Sequence, residues 1–477
     1  MDDLASIQQT RDLVARAKEA QRLFAGTDQK DVDKIVEAMA KAGLKNSRKL
    51  AEMAVEETGI GVVEDKIKKN DFASRNVYEY IKDMKTAGIL CEDKEKGIIE
   101  VGDPMGVLAG IVPTTNPTST IIFKSIISIK SRNAIVFSPH PRAVGCSFEA
   151  ARIMAEAAES AGAPKGLIGC IQICTKEGTN ELMSHRDVDV ILATGGSAMV
   201  KAAYSSGKPA YGVGPGNVPA YIEKSAEISK AVCDIITSKT FDNSTVCASE
   251  QAVIAEEAIA KEVVKEFMKQ GGYFVRDPED FKLLEKTVIQ PGGGVNPSVV
   301  GKSAEKIANM AGIKIPRGTK VLLAPLDKTG KDAPLSHEKL CPVLAFYIEK
   351  DWQAACERSF ELLELGGMGH SLVIHSRDDR IIREFALKKP VNRILVNTPS
   401  SFGAIGLSTG LQPSLTLGCG TKGGNITSDN VGPQHLINRK RLAYSKEKNI
   451  SVCPKDTNVF IYSRAEVMNA VSDYLKA

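Results

Sequence analysis

GVLAGIVPTTNPTSTIIFKSIISIKSRNAIVFSP, residues 106–139, decides how this chain is read. It opens on a short apolar run, 106–112, of strand length. Asn116 and Pro117 follow, a residue able to cap a helix and one suited to its first position, and an apolar-rich stretch runs on to 132. A second short apolar run, 133–139, completes the unit. Strand, helix, strand at this spacing is the pattern of a parallel βαβ unit.

Downstream the alternation continues. The sequence predicts a helix over 146–161, a strand over 167–173, a helix over 177–184, a strand over 188–196 and a helix over 197–206, ending in the glycine-rich turn PAYGVGPGN (209–217). This is the signature of a doubly wound α/β sheet, whose ligands sit at the carboxyl ends of the strands. Those ends read TTNP, SPHP, ATGG and GVGPG, all glycine, proline and small polar residues. After a helix at 225–240 comes FDNSTVCASEQ (241–251) with Cys247 near its centre. A second α/β series follows, with strands at 251–255, 319–324, 342–348, 371–375 and 393–397 and helices at 256–270, 303–312 and 351–365.

Upstream, residues 1 to about 90 read as amphipathic helices, and 91–105 (CEDKEKGIIEVGDPM) as a charged, then extended, edge strand or arm. Beyond 400 the chain is irregular and rich in glycine, closing with the extended NISVCPKDTNVFIYS (449–463), a candidate to pair with 98–104. The division expected is a dinucleotide-binding domain over 1–240 with 95–105 in the arm, a catalytic domain over 241–420, and 421–477 returning to the cofactor domain and arm.

At 477 residues the chain exceeds one ordinary core, so two or more domains are required. Basic and acidic residues number 62 and 58, a net charge of +4, which gives no electrostatic case for nucleic acid or a membrane surface. The N-terminus starts acidic and lacks the apolar core of a signal peptide. The ten cysteines are scattered and the six histidines dispersed, without metal-ligand spacing, so no metal site is expected. Free thiols in a reducing cytoplasm are the economical reading.

Cys247 falls at the junction of two α/β halves, where clefts form, on a turn rich in polar residues. A half-buried structural cysteine fits the local residues as well. ATGG puts glycines between a strand and a helix start, suited to a phosphate or to an ordinary turn. Asn116 offers an amide donor or a helix cap; His337 and Glu338 precede a strand and face either cleft or water; His370, in a GGMGH turn, reads as structural.

The blocks PTTNPTSTIIFKSIISIKSRNAIVFSPHPRA, ILATGG, VKAAYSSGKPA, TFDNSTVCASEQ, HEKLCP, PSLTLGCG and NVGPQHLIN, in this order over nearly the whole chain, resemble the aldehyde dehydrogenases. The likeness is to the CoA-acylating branch, including the aldehyde-oxidising half of the bifunctional aldehyde/alcohol dehydrogenases. It implies two doubly wound α/β domains, cofactor and catalytic, plus a β oligomerisation arm, and a homodimer or homotetramer. By residue, it implies Cys247 as nucleophile and Asn116, with the Cys247 backbone N–H, as oxyanion hole. Ser138, Pro139 and His140 would border the adenosine, Thr194, Gly195 and Gly196 the pyrophosphate, and Gly214 would also line the cofactor site. Glu338 would hold the nicotinamide ribose, and His337 would help the CoA thiol as acid or base. NAD is the implied cofactor, with NADP open through Arg142, and coenzyme A the co-substrate.

Hydrolytic members carry a glutamate base in the turn that here reads GVGPGN, at the position of Gly212. Water attacking a thioester needs that base, whereas a more acidic thiol needs less help. Transfer to CoA is therefore expected over hydrolysis, and acetaldehyde is the first-choice substrate. No iron-dependent alcohol dehydrogenase half follows in the sequence, so a stand-alone enzyme is expected. Lys422, in LGCGTKGGN, either faces solvent or pairs with an anionic aldehyde such as succinate semialdehyde or sulfoacetaldehyde. A hydrolytic enzyme and a scaffold subunit are the remaining rivals, the first opposed by Gly212 and the second by the intact nucleophile loop.

Overall fold

The computed structural model describes residues 2–446 and 463–476. Four helices lead, Asp2–Phe24, Gln29–Lys45, Ser47–Thr58 and Val63–Asp71, the last continuing through a π-turn at Phe72–Asn76 into Val77–Ile81. Their apolar faces pack into the main core through Val14, Phe24, Val32, Ile35 and Met39. Then comes a hairpin, β1 (Gly88–Asp93) and β2 (Ile98–Pro104).

The stretch that opened the sequence reading folds as expected: β3 (Val107–Val112), the helix Pro117–Lys130, then β4 (Ala134–Pro139). With β5 (Ile168–Cys170), β6 (Val190–Thr194) and β7 (Ala210–Val213) these strands form a parallel five-stranded sheet in the order β5-β4-β3-β6-β7. The winding reverses between β3 and β6, which opens a crevice at their carboxyl ends. Lys124, fully buried on the intervening helix, bridges that point, donating to the carbonyls of Ile111 and Leu192 at 2.7 Å each. Without a carboxylate partner among the described residues, burial pulls its amine down to about 7.

The second sheet holds β8 (Val218–Ile222), β9 (Glu250–Glu256), β10 (Gly272–Phe274), β11 (Val321–Pro325), β12 (Val343–Glu349), β13 (Gly369–His375) and β14 (Val391–Val396). All are parallel, in the order β10-β11-β12-β9-β8-β13-β14. The central β9, and β13 beyond β8, are buried along their whole length, because helices cover both faces. One apolar cluster runs from the first sheet (Val107, Val136) into the second (Val253, Val373), welding the two units.

The change of sheet falls between Val213 and Val218, not at residue 240. β8 was absent from the sequence reading; it belongs to the second sheet and carries the helix Ile228–Thr240 with it. The third sheet has the order β1-β2-β15, where β15 (Ile437–Ala443) pairs antiparallel with β2. So 98–104 does pair with a late segment, but with 437–443. The expected partner 449–463 lies outside the described residues except for Ser463. No described helix is long and apolar enough to cross a membrane.

Candidate active site

The candidate site lies where the carboxyl ends of the first sheet meet the amino ends of the second. Cys247 lies just before β9, Gly216 just before β8, Glu338 on the loop before β12, and His370 is the second residue of β13. Four neighbouring strands of one sheet thus aim their starts at a single point.

The turn before Cys247 is strained. Asp242, Asn243 and Ser244 hold φ of 48°, 52° and 68°, values that L-residues seldom adopt. Side-chain bonds compensate. Asp242, fully buried, accepts from Lys66 at 2.9 Å, Lys69 at 2.5 Å, the Thr245 hydroxyl at 2.6 Å and the Val62 N–H at 2.7 Å. The Asn243 amide donates to the Gly301 carbonyl at 2.9 Å.

Asn116 occupies the N-cap position but makes no side-chain cap bond. Its Nδ2 instead donates to the carbonyl of Thr245 at 3.0 Å, and its Oδ1 accepts from Lys69 at 2.6 Å. The amide is therefore built against the Cys247 loop, a job the helix does not need.

His370 Nε2 lies 3.3 Å from Cys247 Sγ, and Nδ1 is 3.1 Å from the Ser371 hydroxyl. Among the described residues the imidazole bonded to Cys247 is that of His370, not His337. His337 is half-buried on the loop before β12, and its carbonyl accepts from Lys339 at 2.7 Å. His370 read as structural from sequence; only the packing of β13 beside β8 brings it to the thiol. Two glycines permit that approach. A Cβ at Gly216 would strike the Cys247 carbonyl and meet the His370 ring at 3.1 Å, and Gly369 holds φ of 74° against the Cys419 carbonyl.

Burial pushes the Cys247 thiol up to about 12, with Glu338 and Cys419 adding to the rise and Arg393 opposing it. Burial, then Arg393, takes His370 down to about 3. The resting pair is thus a neutral thiol against a neutral imidazole. Arg393 supports it from behind, donating to the His370 carbonyl at 3.1 Å, Gly418 at 2.8 Å and Asn430 at 2.7 Å. Burial also lifts Glu338 to about 7; its Oε1 accepts from the Gly216 N–H at 3.2 Å.

The residues expected to border a dinucleotide lie at the carboxyl ends of the first sheet. Ser138 and Pro139 end β4; Ser138 is buried and 2.8 Å from the Thr179 hydroxyl, while His140 is exposed with its ring turned to the Arg142 N–H at 3.1 Å. Thr194 ends β6 with a buried hydroxyl that has no partner among the described residues. Gly195 and Gly196 lead into the helix Ser197–Ser205, whose N-terminus has no side-chain cap, and a Cβ at Gly196 or Gly214 would meet nothing within 4 Å. An orphaned hydroxyl, open glycines and an uncapped helix start together fit a pyrophosphate.

Gly212 is different. A Cβ there would come within 2.7 Å of Val200 and 2.9 Å of Tyr204, so the position has no room for a glutamate in the present packing. Lys422 is exposed. Among the described residues no cluster of three or more His, Cys, Asp or Glu is placed to hold a metal.

Residues 3–324 match the aldehyde dehydrogenase family. The chain belongs to that family. It is 47% identical over 449 residues to the bifunctional aldehyde-alcohol dehydrogenase of Escherichia coli (strain K12), covering 93% of this chain and 50% of that protein. The chain thus spans about half the length of the curated bifunctional relatives it matches. Among solved structures, an acetylating aldehyde dehydrogenase from Geobacillus thermoglucosidasius superposes with a TM-score of 0.92 at 53% identity, covering 95% of this chain and 99% of that one. A propionaldehyde dehydrogenase from Rhodopseudomonas palustris, solved with bound CoA and an acylated cysteine, gives 0.83 at 29% identity, covering 91% and 97%.

Proposed function

We propose that this chain is a CoA-acylating aldehyde dehydrogenase, converting a short-chain aldehyde, acetaldehyde first among them, to its acyl-CoA. The observation that carries the reading is the His370–Cys247 pair at 3.3 Å; the crowded Gly212, where hydrolytic members are expected to carry their base, accords with it. The acylated cysteine and CoA of the Rhodopseudomonas palustris relative support it.

Cys247 attacks the aldehyde carbon as His370 Nε2 accepts the thiol proton, and the new S–C bond leaves negative charge on the carbonyl oxygen. Asn116, releasing one of its present bonds, donates to that oxygen. The dinucleotide, when bound by Ser138, Pro139, His140, Thr194, Gly195, Gly196, Gly214 and Glu338, supplies the hydride acceptor. Loss of hydride from the same carbon leaves a thioester on Cys247. His370, its proton passed to solvent, then takes the proton of the CoA thiol. The CoA sulfur attacks the thioester carbonyl, the S–C bond to Cys247 breaks, and the Cys247 thiolate recovers a proton from His370. The acid–base help to the CoA thiol expected of His337 falls in this reading to His370, the imidazole bonded to Cys247. NAD is the expected acceptor; Arg142, exposed beside His140, would tolerate the 2′-phosphate of NADP.

The exposed strands β1 and β15 on either side of β2 form an arm suited to a homodimer or homotetramer. A cytoplasmic location accords with nine described cysteines that are all free. The mechanism is tested by incubating enzyme with acetaldehyde and NAD without CoA, then mapping peptides by mass. An acetyl increment on the Cys247 peptide, removed by CoA, is expected; no increment, or one on another residue, overturns it.

A further inference from the structure

Lys69 lies on the helix Val63–Asp71, outside every element the proposed chemistry uses, yet it reaches the site. Its ammonium group is buried and its three N–H bonds are all assigned: Asn116 Oδ1 at 2.6 Å, Asp242 Oδ2 at 2.5 Å and Thr245 Oγ1 at 2.9 Å. We propose that Lys69 is a positioning residue for the oxyanion donor, fixing the Asn116 amide with its oxygen toward the helix and its nitrogen toward the nucleophile. The inference rests on the role proposed above for Asn116.

A carboxamide is nearly symmetric in shape, so packing alone does not choose between its two orientations. A buried ammonium ion does. It accepts the amide oxygen as neighbour and rejects the NH2, whose hydrogens carry like partial charge. The same contact draws electron density from the amide oxygen and makes its N–H bonds better donors to an anion. Nδ2 presently donates to the Thr245 carbonyl at 3.0 Å and more loosely to the Thr115 hydroxyl at 3.2 Å, the bond it can release. Asp242 keeps Lys69 charged: burial lowers the lysine to about 8, and Asp242 is the foremost opposing influence.

Lys66 is an internal control. It shares Asp242 at 2.9 Å and donates to the Thr115 carbonyl at 2.8 Å, but has no bond to Asn116. A role confined to holding Asp242 would make the two lysines equivalent; Lys69 differs by its bonds to Thr245 and to Asn116, and only the second bears on the amide.

The test is a double-mutant cycle read as the single-turnover rate of NADH formation without CoA. Lys69→Met should slow that rate about 10- to 100-fold, with the KM for NAD within about threefold of wild type. Lys69→Gln, which keeps an N–H donor without the charge, should fall between the two and serves in the cycle if the Met variant does not fold. In an Asn116→Ala background either change should cost less than about threefold further, whereas Lys66→Met should multiply with Asn116→Ala. A Lys69 loss as large in the Asn116→Ala background as in wild type overturns the positioning role. An Asn116→Ala enzyme with the wild-type rate would overturn the reading of Asn116 itself, a result distinct from the first.

Discussion

His370 Nε2 and Cys247 Sγ stand 3.3 Å apart, within reach of proton transfer, although the two residues are 123 positions apart in sequence. Both are neutral at rest, because burial penalises the imidazolium as well as the thiolate. Substrate must therefore drive the transfer. His370→Ala should lower CoA-dependent turnover about 10²- to 10⁴-fold. It should also slow alkylation of Cys247 by iodoacetamide at neutral pH; unchanged rates in both assays would remove His370 from the chemistry.

Cys247→Ala should abolish NADH formation while NAD still binds, since none of the proposed cofactor residues lies on the Cys247 loop. Steady-state absorbance and calorimetric titration check the two halves. Persisting turnover would require another nucleophile.

Asp242 faces two buried lysines, and removing it strands both charges beside a strained turn. Asp242→Ala should cost about 3–5 kcal/mol in urea unfolding. A loss under about 1 kcal/mol would mean that the turn does not depend on the ion pairs.

Glu250, three residues past Cys247, is buried with Oε1 bonded to the Ser400 N–H at 2.9 Å and Oε2 without a partner among the described residues. Burial lifts it from 4.5 to about 7. The folded protein therefore binds more protons here than the unfolded chain between those values, so this group's contribution to stability is full at low pH and is lost as pH rises through 7. Glu250→Gln should be about 1–3 kcal/mol more stable relative to wild type at pH 8 than at pH 5, in matched urea titrations. An equal difference at both pH values would contradict this.

Lys422 is exposed, on the 3-10 turn Thr421–Gly423. Lys422→Ala should leave the ratio of kcat/KM for acetaldehyde over succinate semialdehyde within about twofold, as for a solvated surface charge. A tenfold shift toward acetaldehyde would place the lysine on the substrate path.

Much of this architecture was legible in local pattern. The βαβ unit at 107–139 declared itself because a cap, a helix-opening proline and two short apolar runs agree with one another. β8 was missed because Val218–Ile222 is a five-residue apolar run directly behind a glycine-rich turn, without a pattern of its own. The helix Pro278–Val288 was missed although Asp277 caps it and Pro278 opens it, a signal that could have been read. At the site, the residues around Asn116 left it a donor or a helix cap, and the bond of its Nδ2 to the Thr245 carbonyl sets the cap aside. His370 was not legible, since a histidine at the start of a buried strand looks structural until the neighbouring strands are known. Lys69 was hidden for the opposite reason: a basic run on a helix reads as a solvated face, and only the fold buries it.

The central claim is that the acyl group on Cys247 leaves to a thiol and not to water. It is tested most directly by following NADH absorbance with acetaldehyde and NAD, with and without CoA, and quantifying acetyl-CoA and acetate. Sustained NADH formation only with CoA, matched mole for mole by acetyl-CoA, is the predicted result. Sustained NADH formation without CoA, accompanied by acetate, would contradict it.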